Sequence, residues 1–172
     1  MIPEINHVLY ATDLSEDAPR ALAYAVALAD KFAASLTVTH VIRETNPNAE
    51  LLISAFLEYR SREEIKQKSR GQLAEEIKER LAQMCNELGC QLPDCRFSLA
   101  DVIVEFGQPR EMILNHAETG KYDLLVMGRH DYGFVESAIT GHSTKGLPRH
   151  TPVPVLLVPM ASSTDPAGQP GE

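Results

Sequence analysis

Between Asp123 and Pro159 the chain reads DLLVMGRHDYGFVESAITGHSTKGLPRHTPVPVLLVP, and here the residues suited to chemistry concentrate. An apolar run at residues 124–127 leads into Gly128. Gly133, Gly141, Ser143 and Thr144 follow in a polar stretch, before a second apolar run at residues 153–158. A strand that delivers a glycine loop from its C-terminal end is how α/β sheets build phosphate sites. Missing side chains let backbone N–H groups approach an anion, and a following helix N-terminus adds its positive end. The chemistry implied is the holding of a phosphate-bearing ligand such as a nucleotide.

Other chemistries fit the residues less well. The chain has no G-x-S-x-G elbow, no metalloprotease helix and no full P-loop with its lysine, and no nucleophile has a visible base and orienter. The chain therefore reads as a non-enzyme. His130, Asp131 and His142 are the residue types that suit zinc or manganese, but their placement in a loop favours a surface cluster over a metal site. Cys85, Cys90 and Cys95 lack the second pair that a zinc site needs and read as buried thiols, with Cys85 on a helical pattern and Cys95 opening a strand. His40 and His116, in apolar surroundings, read as core or edge histidines.

The elements that must position these residues alternate along the chain. A first strand is expected at residues 5–10, followed by Ala11, Thr12 and Asp13. Ser15 is the expected N-cap of a helix whose first turn holds Glu16 and Asp17. Ala18, Leu22, Ala25, Val26, Ala29 and Phe32 recur there at helical spacing. A second strand spans residues 35–42. Residues 50–88 carry one long helical pattern, with Leu73, Ile77, Leu81, Met84 and Leu88 as its apolar stripe and Gly89 as its stop. The part from 45 to 70 is less decided and can include an exposed loop. A third strand lies within residues 95–106 and closes at Gly107. Pro109 fits the first turn of a helix ending near Gly120, and Asp123 reads as a turn residue before the fourth strand.

That alternation is the signature of a parallel α/β sheet, in which ligands sit at the carboxyl ends of the strands. Ala11, Thr12, Asp13, Val41, Gly107, Met127 and Gly128 occupy those ends and converge on one crevice. The 172 residues suit one domain over residues 1–160 and a disordered Pro/Gly-containing tail over 161–172. Apolar residues make up 44% of the chain in short runs, none approaching the roughly 18 to 20 residues of a membrane span. No secretory signal is visible at the N-terminus, and an odd number of cysteines suits a reducing compartment, so a cytoplasmic location is expected. With 16 basic against 24 acidic residues, a net charge of −8, and no basic stripe, nucleic acid is not the expected partner.

Five segments carry a more specific likeness: VLYATDLSE, LTVTHVI, FGQPREMI, YDLLVMGRH and RHTPVPVLLVP. Their order and spacing over about residues 1–160 resemble the universal stress protein family. The resemblance implies a flavodoxin-like or adenine-nucleotide α-hydrolase-like three-layer sandwich around a five-stranded parallel sheet. It also implies a regulatory homodimer in stress response, paired through its last strands, that binds ATP or AMP, with magnesium accompanying ATP. The family's nucleotide-binding branch has a G-x2-G-x9-G-[S/T] loop around the phosphates. Gly128 matches its first glycine and Gly141 its last. By the same likeness Asp13 falls near the ribose, Ala11 and Val41 near the adenine, and Met127 at the pocket floor. The SGG-type and HxGH-type loops by which relatives of this fold activate ATP are missing.

The chain departs from that pattern at three places. Asp131 replaces the middle glycine, His142 stands where the first hydroxyl residue belongs, and Pro148 falls in the last helix. Ser143 and Thr144 supply hydroxyls one and two places late, while Arg129, His130 and His142 can offset the acid. Two unit charges 4 Å apart at an effective dielectric of about 20 interact by roughly 4 kcal/mol, so Asp131 penalises phosphates. Pro148, beside Gly146, is expected to shorten or break the last helix after about Lys145. The alternative to a nucleotide-binding module is a dimeric protein-interaction module that has lost phosphate binding and works through partner contacts.

Overall fold

The computed structural model describes residues 1–43, 47–128 and 147–159. Five parallel strands form one sheet in the order β3-β2-β1-β4-β5: β1 (His7–Thr12), β2 (Ser35–Ile42), β3 (Ser98–Phe106), β4 (Leu124–Gly128) and β5 (Val155–Val158). The helices are α1 (Ala18–Phe32), α2 (Pro47–Phe56), α3 (Arg62–Lys66), α4 (Arg70–Gly89), α5 (Pro109–Glu118) and α6 (Leu147–His150).

Strand alternation sorts the core into two layers. Val8 and Tyr10 of β1, with Leu36 and Val38 of β2, pack on one face against α1 and α4. Leu9, Ala11, Val41, Leu125 and Met127 face the other way and pack with Ile113 of α5 and Leu147 of α6. The expected three-layer arrangement is the one found.

Several boundaries differ from the sequence reading, each for a local reason. β1 starts two residues later than expected and runs on through Ala11 and Thr12, which pair with Thr39 and His40 of β2. Its entry is fixed by Asp123, whose Oδ2 accepts the N–H groups of Asn6 at 2.9 Å and His7 at 2.8 Å. Ser15 does not cap α1. Its N–H is drawn back to Asp13 Oδ1 at 2.9 Å, and the helix begins only at Ala18, with Pro19 in its first turn. Glu16 and Asp17 therefore precede the helix. Phe32, assigned to the buried stripe, is 46% exposed.

The long helix expected over 50–88 is three helices. Glu58 adopts φ +58, a left-handed conformation that no helix interior accepts, and the chain restarts at α3 and again at α4. Ser69 and Gln72 start α4 with a reciprocal capping box, Gln72 N–H to Ser69 Oγ at 3.2 Å and Ser69 N–H to Gln72 Oε1 at 2.9 Å. Gly89 is the last helical residue rather than a left-handed stop. A Cβ there would stand 3.3 Å from the Phe97 ring, a tight approach that glycine avoids. Only Cys85 is a buried thiol, and burial pushes it up to about 11. Cys90 and Cys95 are exposed, and the strand that Cys95 was to open begins at Ser98.

β5 begins at Val155 rather than Val153, because Pro154 has no N–H to give; its carbonyl instead accepts from Leu125 N at 2.9 Å. A helical turn, Leu147–His150, lies beyond the break expected after about Lys145, and Lys145 itself lies outside the described residues. Pro148 occupies its second position, where no N–H is required.

Candidate functional site

The carboxyl ends of β1, β2 and β4 lie side by side. Ala11 is in register with Met127 on one side and Thr39 on the other, and Thr12 with His40. Ala11, Val41 and Met127 share one apolar cluster with Leu9, Leu125, Ile113 and Leu147. The two expected adenine-side residues, Ala11 and Val41, and the expected pocket floor, Met127, are thus brought together on the α5–α6 face. Their side chains are almost wholly buried, packed with Ile113 and Leu147, so what the strand ends can offer a ligand is their backbone edges.

Thr12 belongs to the opposite side chain layer, and its role is local. Its Oγ1 accepts from Leu14 N at 3.1 Å, and its carbonyl accepts from His40 Nδ1 at 2.7 Å. Because a carbonyl only accepts, Nδ1 carries the proton. Burial dominates the titration of His40 and lowers it to about 4; the Thr12 contact and the charge of Asp13 pull less strongly the other way. His40 is a neutral buried clamp on the end of β1. His116 behaves as an edge histidine, its Nε2 lying 2.8 Å from Glu105 Oε2 and tying α5 to β3.

The β1–α1 turn is sharply shaped. Leu14 is buried at φ +63, a conformation that costs a leucine on the order of 1 to 2 kcal/mol. Sequence reasoning assigned Leu14 no role, since nothing in its type signals a left-handed residue. The turn leaves Asp13 half-exposed at the crest, with Oδ1 holding Ser15 N–H and Oδ2 without a partner among the described residues. A carboxylate oxygen so placed can accept a hydroxyl from a ligand lying across the strand ends. Ser15 Oγ, buried beside it, also has no partner among the described residues.

Gly128 ends β4, buried and in register with Val158. His130, Asp131, Gly133, Gly141, His142, Ser143 and Thr144 lie outside the described residues, as does the three-residue metal cluster considered above. Among the described residues, no group of three His, Cys, Asp or Glu side chains could hold a metal ion. A concavity opens on the opposite sheet face, where the Arg70 guanidinium lies 4.7 Å from the centre of the Phe106 ring, near Ile53, Ile65 and Leu73.

The fold and its adjoining strand ends suit many α/β ligand-binding proteins, and comparison narrows the choice. The sequence profile of the universal stress protein family matches residues 4–159. The chain belongs to that family. Universal stress protein MJ0577 of Methanocaldococcus jannaschii is 30% identical over 160 residues, which cover 91% of this chain and 96% of the relative. The solved structure of MJ0577 superposes with a TM-score of 0.56 at 25% identity, covering 94% of this universal stress protein and 100% of that chain. A universal stress protein solved in complex with cAMP gives a TM-score of 0.56 at 17% identity, over 91% of this chain and 98% of the other. An Arabidopsis thaliana universal stress protein family protein with AMP bound gives 0.53 at 15% identity, over 94% and 97%. The sheet of this universal stress protein has the five-stranded parallel architecture of an adenine-nucleotide α-hydrolase-like fold. Among its described residues, no helix is long and apolar enough to cross a membrane.

Proposed function

We propose that this universal stress protein is a cytoplasmic regulatory module that binds an adenine nucleotide and works as a homodimer joined through β5, without catalytic turnover. The observation that carries the reading is the meeting of Ala11, Val41 and Met127 with the Asp13 turn at the carboxyl ends of β1, β2 and β4. An adenine ring would lie across those strand ends and read the backbone edge near Val41. The ribose would reach Asp13. Gly128, with His130, Asp131, Gly141, His142, Ser143 and Thr144, would meet the phosphates. The AMP-bound and cAMP-bound relatives support this choice of ligand class.

Asp131 sets the expected preference. AMP binds at least as well as ATP, because a carboxylate among the loop residues penalises the distal phosphates most. Titration calorimetry with AMP, then ATP, with and without magnesium, tests this directly. Magnesium-independent ATP binding tighter than AMP binding would overturn the preference, and no binding of either would leave the partner-contact reading, which Asp131 and His142 favour.

The dimer rests on β5, the terminal strand of the sheet order, where Val155, Leu156 and Leu157 are only half-buried. An apolar edge strand invites pairing with a second copy. Light scattering at tens of micromolar, a working range of about the concentrations at which dimers persist, is expected to give twice the chain mass. A monomer there would sink the proposal.

A further inference from the structure

We propose that Cys90 and Cys95 form a redox pair that closes to an intrachain disulfide when a hydroperoxide meets the turn between α4 and β3. Both thiols are free and exposed, whereas Cys85, one turn back in α4, is buried. Cys90 caps α4, its N–H donating to Asn86 O at 3.0 Å. The chain then turns tightly, with Leu92 N–H donating to Gly89 O at 3.1 Å, and folds back on the helix end. As a result the Sγ of Cys95 stands 3.6 Å from the place a Cβ would take on Gly89, the residue next to Cys90.

A disulfide needs Cα atoms about 4.4 to 6.8 Å apart, and the sulfur of Cys95 already packs on the helix end at the residue before Cys90. The intervening residues 91–94 carry no strand or helix, and Gln91, Pro93 and Asp94 are exposed, so closing the bridge displaces no buried side chain of those three. The firm anchor comes only after it, where Arg96 N–H donates to Asp30 Oδ1 at 2.6 Å. Gly89 contributes by having no side chain in the way.

The chemistry balances with the hydroperoxide as oxidant. One thiolate attacks the O–O bond, giving a sulfenic acid and releasing the alcohol, or water from hydrogen peroxide. The second thiolate then displaces hydroxide from the sulfenic sulfur, forming the S–S bond, and the hydroxide takes up a proton to become water. Two thiols lose two electrons and two protons in all. The pair lies on the α4–β3 turn, away from the adjoining strand ends, and the reaction requires no bound nucleotide.

The test uses the full chain, reduced, freed of reductant, and exposed to hydrogen peroxide in low molar excess. Free thiols are then alkylated in denaturant and the digest is read by mass spectrometry. A linkage joining Cys90 and Cys95, two hydrogens lighter and reversed by dithiothreitol, is expected, with Cys85 recovered as the alkylated thiol. The variants Cys90→Ser and Cys95→Ser should each lose the linkage, while Cys85→Ala keeps it. Separate sulfinic acids at Cys90 and Cys95, a link between chains, or a bridge to Cys85 would each overturn the proposal.

Discussion

At the scale of single residues, the candidate site rests on side chains with separate tasks. Asp13 offers Oδ2 at the crest, so Asp13→Ala should weaken AMP binding by roughly tenfold or more, the size of a charge-assisted hydrogen bond. Its thermal midpoint should move little, and an unchanged AMP affinity by calorimetry would remove Asp13 from the site. Asp131→Gly should raise ATP affinity by about five- to a thousandfold, the range corresponding to about 1 to 4 kcal/mol of relieved repulsion. If ATP binding stays undetectable in correctly folded protein, the phosphate reading fails. His40 gives a pH prediction. Folded, it titrates near 4; unfolded, at the ordinary 6.5. The unfolded chain therefore takes up the proton first as pH falls, so the stabilisation is complete above pH 6.5 and drains away toward pH 4. The loss is about 3 kcal/mol at roughly 1.4 kcal/mol per unit. Denaturant midpoints across pH 7.5 to 4 should fall more steeply for the parent than for His40→Gln, and parallel curves would refute the assignment.

At the scale of elements, the sequence was legible wherever a periodic pattern met a local stop signal. β2 occupies residues 35–42 as its alternation demands, and the Leu73, Ile77 and Leu81 stripe is buried on α4. The stretch from 50 to 69 was not legible, because its helical pattern is broken by backbone geometry at Glu58, a residue type that gives no warning. Ser15 looked like a cap from its type alone, yet its amide was already committed to Asp13. The true capping signal, Ser69 with Gln72, lay unread inside an apparently continuous helix. Ser69→Ala should cost about 1 kcal/mol, seen as a lower midpoint in urea, since it removes half of a reciprocal box. No change would mean that the helix start is held by tertiary packing instead. Ala11, Val41 and Met127 could be placed together from sequence because strand parity and sheet order suffice to do so. The loop after Gly128 could be named only by its likeness to a family pattern.

At the scale of the whole molecule, the sheet has a central strand and two unlike edges. β3 carries Asp101 and Glu105 on its outer run, charges that discourage pairing, whereas β5 presents Val155, Leu156 and Leu157. A charge at the second edge should therefore matter more than one at the first. Val155→Asp is expected to convert a homodimer to monomer in light scattering while leaving the circular dichroism spectrum unchanged. A dimer that survives the substitution would place the interface elsewhere. The central strand also governs how the protein is made. β1 leaves the ribosome first, but its neighbour β4 lies more than a hundred residues further along. Until then one flank of β1 is unpaired and the layer holding Leu9 and Ala11 lacks Leu125, Met127 and Leu147, so a stalled or truncated chain ending before Leu124 would be an aggregation-prone client for chaperones. The last third of the chain, which carries Gly128, Gly133 and Gly141, thus also completes the sheet, and no partly synthesised copy can present the proposed site residues on a finished fold.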